Sequence, residues 1–143
     1  MKTILTRIAV ALVLAIGTTA MAAAADAPMS IPGTTAVDAD TLIKLIETTP
    51  NLVILDNRKE GDYAAGHVEG AIRLIDTDIT GPEVLARHMT AKDAPVAFYC
   101  NGIKCGRAAA AAQKAVGFGY TKIYYYAQGM DEWKAKGLPL VTK

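Results

Sequence analysis

The chain has 143 residues, 52% of them hydrophobic and 20% charged, with a formal net charge of +1 and two cysteines. That length sets one compact domain, and the balanced charge excludes the basic footprint of a nucleic-acid binder or a polybasic membrane patch. The hydrophobic fraction is inflated by an apolar N-terminus and by alanine runs, so it is not membrane character.

Lys2 and Arg7 flank the start, Ile8 to Ile16 is apolar, and Gly17-Thr18-Thr19 leads into small residues through Ala25. A basic region, a short apolar run and a small-residue cleavage zone make residues 1–25 a secretory signal peptide, too short in its apolar part to span a bilayer stably; an uncleaved anchor is the alternative. Cleavage fits before Asp26 or before Ala23. Removing residues 1–25 from 143 leaves 118, and because Lys2 and Arg7 leave with them, 13 basic residues face 14 acidic ones, a net charge of −1. The expected location is periplasmic or secreted, with no stable membrane insertion after cleavage.

Residues 26–35, which include Pro and Gly, read as a flexible lead-in, and 36–143 as the folded domain. Asp38 or Asp40 can cap a helix that presents Leu42, Ile43, Leu45 and Ile46 on one face and stops before Pro50. Leu52 to Leu55 is a continuous apolar run, as expected of a strand covered on both faces of a parallel sheet. Glu60 to Ala65 reads as a helix that Gly66 ends in the left-handed conformation. Ala71 to Ile75 reads as a strand and Pro82 to His88 as a helix opened by proline. A strand over Val96 to Tyr99, a helix over Arg107 to Val116, a strand over Lys122 to Tyr126 and a helix over Met130 to Lys136 follow. Alternating strands and helices predict an α/β fold, a three-layer α/β/α sandwich on a mostly parallel, about five-stranded sheet.

The segment Cys100-Asn101-Gly102-Ile103-Lys104-Cys105-Gly106-Arg107 carries the chemistry. Cys100 closes a strand, and the loop after it feeds a helix N-terminus whose N–H groups and dipole favour a thiolate. Lys104 and Arg107 add positive charge suited to an anionic substrate. Cys105 lies five residues on, so the two thiols are also a candidate disulfide or redox pair in an oxidising compartment. A zinc site lacks ligands, since His67 and His88 are distant and no second cysteine pair exists. Ligands of open parallel sheets bind beyond the strands' carboxyl ends, where Asp56 and Cys100 both fall. Asp56, Arg58 and Asp62 read as a polar network at the mouth of such a site, with Arg58 placed among the substrate-binding residues. His67 reads as a brace for the following strand.

Three blocks resemble rhodanese-homology domains. Asp56-Asn57-Arg58-Lys59-Glu60-Gly61-Asp62-Tyr63-Ala64-Ala65-Gly66-His67-Val68-Glu69-Gly70-Ala71 is similar to the family's D-x-R-x-x-x-[DE]-[YF]-x-x-G-H-[IV]-x-G-A signature. Tyr99-Cys100 falls at its sulfur-accepting cysteine, and Gln128-Gly129-Met130, Trp133 and Gly137-Leu138-Pro139 resemble its C-terminal block. The loop departs from a common pattern in which Arg follows the Cys by five positions. Here that position is Cys105, Arg107 stands at the seventh, and Gly106 occupies the place that C-x5-R phosphatase loops give to Arg.

The resemblance implies a sulfurtransferase that needs no cofactor. Cys100 would take the outer sulfur of thiosulfate or a similar small anion, the amides from Asn101 to Arg107 would hold the resulting persulfide, and a thiol or cyanide would remove it. A periplasmic thiol protein is a further candidate partner, and nucleic acid is not expected. Two other functions stay open: a thiol–disulfide redox protein using Cys100 and Cys105, and a non-catalytic binding module on the same fold.

Overall fold

A computed structural model describes residues 24–143; the signal-peptide reading of residues 1–25 therefore lies almost wholly outside the described residues. The elements are β1 (Thr35–Ala36), α1 (Ala39–Thr48), β2 (Val53–Asp56), α2 (Glu60–Ala65), β3 (Ile72–Arg73), a 3-10 turn (Asp76–Asp78), α3 (Pro82–Ala86), β4 (Val96–Tyr99), α4 (Arg107–Gly117), β5 (Ile123–Tyr126) and α5 (Gly129–Ala135). The five strands form one sheet in the order β1-β5-β4-β2-β3, with every neighbouring pair parallel. Among the described residues no helix is long and apolar enough to cross a membrane.

Alternation along the strands builds two cores. Val96 and Phe98 of β4 and Ile123 and Tyr125 of β5 face α3 and α4, where they meet Leu85, Ala108, Ala111, Ala112 and Ala115. Ala97, Tyr99 and Tyr126 face the other way, onto Ala39 and Leu42 of α1 and Met130 and Trp133 of α5. The result is the expected α/β/α sandwich. The alanines of α4 have a packing reason: with one methyl each, they let the helix axis approach the sheet closely. Two residues beyond Phe98, Cys100 falls on the α4 side.

Local chemistry sets the ends of the elements. The Asp38 carboxylate accepts from the Thr41 N–H at 2.8 Å and caps α1. That hydrogen bond holds the Asp38 carboxyl below its usual range. Gly66 ends α2 at φ 156° and ψ 130°, an extended positive-φ conformation and not the expected left-handed one, because the chain must swing out to pair His67 with Val141 in an antiparallel bridge. The strand expected over Ala71 to Ile75 shrinks to Ile72–Arg73, and the chain then turns through Asp76–Asp78.

The lead-in expected to be flexible is packed instead. Ile31 is buried, the Tyr125 hydroxyl donates to the Pro28 carbonyl at 2.9 Å, and the Ala27 N–H donates to the Ile103 carbonyl at 2.6 Å. Thr35, within the stretch read as lead-in, begins β1 against β5. An apolar anchor at Ile31 and an otherwise open edge on β5 explain the docking, since an unpaired strand edge is satisfied by one more strand.

Candidate active site

Cys100 sits where β4 leaves the sheet, and its side chain is 2% exposed. The loop that follows is held from the C-terminal block of the chain. The Met130 N–H donates to the Cys100 carbonyl at 3.0 Å and the Asp131 N–H to the Asn101 carbonyl at 2.7 Å, so the start of α5 clamps the start of the loop. Gly129 permits that approach: its φ is +53°, and a Cβ there would lie 2.1 Å from the Cys100 oxygen. Sequence reasoning placed Gly129 in a motif without seeing that the motif seats the nucleophile.

The loop curls back on itself. The Cys105 N–H donates to the Gly102 carbonyl at 2.9 Å, and the Cα atoms of Cys100 and Cys105 lie 6.1 Å apart, joined by a disulfide. Cys105 is the more accessible of the two, and Arg107 Nη1 stands 3.8 Å from its sulfur. Among the described residues the N–H groups of Asn101, Gly102, Ile103, Lys104 and Gly106 find no protein acceptor. Gly106 caps α4 without a side chain, so the first-turn donors of that eleven-residue helix are also unspent. Unspent N–H donors thus cluster in the segment that begins at Cys100 and runs into the start of α4, the kind of loop whose dipoles favour a thiolate or a persulfide anion.

The loop's side-chain charge differs from expectation. Lys104 lies against Asp26, and Arg107 Nε is 3.8 Å from an Asp76 carboxylate oxygen. Asn101 Nδ2 donates to Asp62 at 3.1 Å, and the Asp131 carboxylate fills the space where a Cβ on Gly102 would go. Each cation of the loop is therefore matched by a carboxylate, and two further carboxylates stand at its rim. Side-chain attraction for an anion is thereby reduced, and the backbone dipoles supply the rest. Asp26, Asp76 and Asp131 had no signal in the sequence, because their contacts span the fold.

Arg58 is not at the mouth. Its side chain is 1% exposed, and it meets Asp56 through Nε at 3.0 and 3.1 Å and through Nη2 at 2.7 Å. Nη2 also donates to the Gly66 carbonyl at 2.8 Å. The Tyr99 hydroxyl donates to Asp56 at 2.5 Å and accepts from the Val68 N–H at 3.3 Å. Burial, reinforced by the Asp56 charge, pushes the Tyr99 hydroxyl well above its ordinary pKa. Burial also opposes the Arg58 charge, but Asp56 and Tyr99 outweigh it and its pKa is raised. The structure does not place Arg58 at an open mouth: its side chain is buried, its Nε and Nη2 donors are spent on Asp56 and Gly66, and it ties β2 to the loop before β3. Asp62, expected in the same network, belongs to the Asn101 contact. His67 is the expected brace: it stacks on Tyr63 with ring centroids 3.8 Å apart and its Nδ1 lies 2.9 Å from the Tyr63 carbonyl oxygen. Trp133 is core, its indole N–H donating to the Pro139 carbonyl.

Comparison with known proteins agrees with this architecture. The family model described as Rhodanese-like domain matches residues 38–136. The uncharacterized protein YibN of Escherichia coli (strain K12) is 33% identical over 92 residues, which cover 62% of this chain and 60% of that protein, so the match leaves a substantial part of YibN outside it. The solution structure of the rhodanese-like domain of the Alr3790 protein from Anabaena sp. is similar at 25% identity and a TM-score of 0.61, covering 75% of this chain and 78% of that one. The polysulfide-sulfur transferase homodimer from Wolinella succinogenes shares the fold at 23% identity and a TM-score of 0.60, covering 78% and 80% of the two chains. With a family match over most of the domain, a parallel sheet in the same architecture and a cysteine loop at its carboxyl edge, the chain belongs to the rhodanese-like domain family.

Proposed function

We propose that this chain is an exported sulfurtransferase in which Cys100 takes sulfane sulfur from thiosulfate or a similar small anion and carries it as a persulfide to a thiol or cyanide. The observation that carries the reading is the setting of Cys100: a buried residue at a strand end, opening a loop whose backbone N–H groups lack protein acceptors and which leads into the uncapped first turn of α4.

In the reduced protein, the Cys100 thiolate attacks the outer sulfur of thiosulfate. The sulfur–sulfur bond of the donor breaks and sulfite leaves with its electron pair. The persulfide anion is stabilised by the loop amides as an oxyanion hole stabilises oxygen. An acceptor thiolate then takes the outer sulfur and regenerates the Cys100 thiolate. The disulfide-bonded form contains no thiolate, so it is a resting state that reduction opens.

Sulfite release from thiosulfate, measured on the protein before and after reduction and on Cys100→Ala, tests the proposal. Release by the reduced wild type alone is expected. Release by Cys100→Ala at the wild-type rate would move the chemistry off Cys100.

The disulfide itself favours a second reading, a thiol–disulfide exchange protein whose partner is an exported thiol protein. The two functions part at Cys105→Ser: a sulfurtransferase keeps sulfite release, whereas an exchange protein loses turnover and traps a mixed disulfide.

A further inference from the structure

Cys105 is left without a role by sulfur transfer, since one thiolate suffices to accept and pass on a sulfur atom. We propose that Cys105 is a resolving thiol that expels the sulfur bound to Cys100 as sulfide, making the site a sulfane-sulfur reductase that finishes each turnover as the Cys100–Cys105 disulfide. The inference rests on persulfide formation at Cys100.

Three observations on the loop carry it. The backbone turn between Gly102 and Cys105 brings the second thiol back over the first, and the disulfide demonstrates that the two sulfurs reach bonding contact with this backbone. The Cα separation of 6.1 Å is within the ordinary disulfide range, so no loop movement is needed. Arg107 Nη1 stands 3.8 Å from the Cys105 sulfur and favours its thiolate, the form that attacks. Proximity adds a kinetic argument. Cys105 is tethered beside Cys100 in the same loop, whereas an external thiol must first diffuse to it.

The step balances. The Cys100 persulfide anion takes the proton of the Cys105 thiol on its outer sulfur, and the resulting Cys105 thiolate attacks the inner sulfur, so that a bond forms between the two cysteine sulfurs. The bond from the Cys100 sulfur to the outer sulfur breaks, and the outer sulfur departs as HS⁻ with the bonding pair and its proton. Sulfane sulfur is reduced to sulfide while two thiols are oxidised to a disulfide. A further turnover requires an external dithiol to reduce that bond.

A single-turnover experiment decides it. The protein is reduced, freed of reductant, and mixed with thiosulfate, and sulfite, sulfide and intact mass are followed for wild type, Cys105→Ser and Cys105→Ala; glutathione persulfide, which leaves a thiol behind, serves as a second donor for sulfur loading only and is read by intact mass. Wild type is expected to release about one sulfide per chain and to end as the disulfide, two hydrogens lighter than the dithiol. Both Cys105 variants are expected to hold one added sulfur on Cys100 and release no sulfide until a thiol is supplied. Wild type that retains the added sulfur, or variants that release sulfide as wild type does, would overturn the resolving role while leaving persulfide formation intact. If neither donor adds sulfur to any of the three proteins, the parent reading falls and this one with it.

Discussion

Replacing Arg58 with Met tests whether this arginine holds the fold or the substrate. The side chain is 1% exposed, and its removal deletes three contacts to Asp56 and one to the Gly66 carbonyl. Asp56, itself 0% exposed, keeps the Tyr99 hydroxyl at 2.5 Å and the Arg58 backbone N–H at 2.9 Å. Breaking a buried ion pair from one side costs about 3–5 kcal/mol. Two surviving hydrogen bonds put this case near the lower end, about 3 kcal/mol, a large share of a total stability on the order of 5–15 kcal/mol. Urea unfolding followed by circular dichroism reads the loss as a lower midpoint with an unchanged slope. Pairing Arg58→Met with Asp56→Asn recovers part of the stability, since removing both charges is cheaper than orphaning one. Thiosulfate turnover by the folded fraction of Arg58→Met keeps the wild-type KM. A variant of wild-type stability whose KM rises severalfold would refute the reasoning and return Arg58 to the substrate.

Gly129→Ala should loosen the clamp on the nucleophile: the positive φ alone costs an L-residue about 1–2 kcal/mol, and the new Cβ cannot remain 2.1 Å from the Cys100 oxygen. The expected readouts are lower stability and faster alkylation of Cys100 in the reduced protein, and wild-type values for both would show that the start of α5 does not seat the loop. Tyr99 sets an alkaline limit: its folded pKa is raised, so the stability it contributes is complete below the free tyrosine value of about 10 and is lost as the pH climbs beyond it. Tyr99→Phe should cost about 1–2 kcal/mol at neutral pH by leaving the Val68 N–H and one Asp56 oxygen short of a partner, and should flatten unfolding between neutral and strongly alkaline pH. An unchanged alkaline profile would refute this role.

The order of the elements, the parallel sheet and the position of Cys100 were legible in the chain, because each rests on local physics. Continuous apolar runs such as Leu52 to Leu55 and Val96 to Tyr99 suit strands covered on both faces. Asp38 caps a helix within four residues of itself, and a cysteine between a strand and a helix is placed by neighbours on either side. The strand Val96–Tyr99 and the helix Glu60–Ala65 have the boundaries read from the sequence. What only the tertiary structure decided was pairing across distance. The two-residue β1 has too few side chains to show a period, and it is a strand only because β5 offers an edge. Arg58 looked available because an arginine after a strand carries no local mark of burial; it is hidden by Tyr99 and Gly66, which the fold brings together. Lys104 and Arg107 looked like free cations because Asp26 and Asp76 are remote in sequence and meet them only after the chain has closed. Charge complementarity and burial are properties of the assembled surface, so a chain read residue by residue shows which groups can do chemistry and leaves to the fold which of them are free to do it.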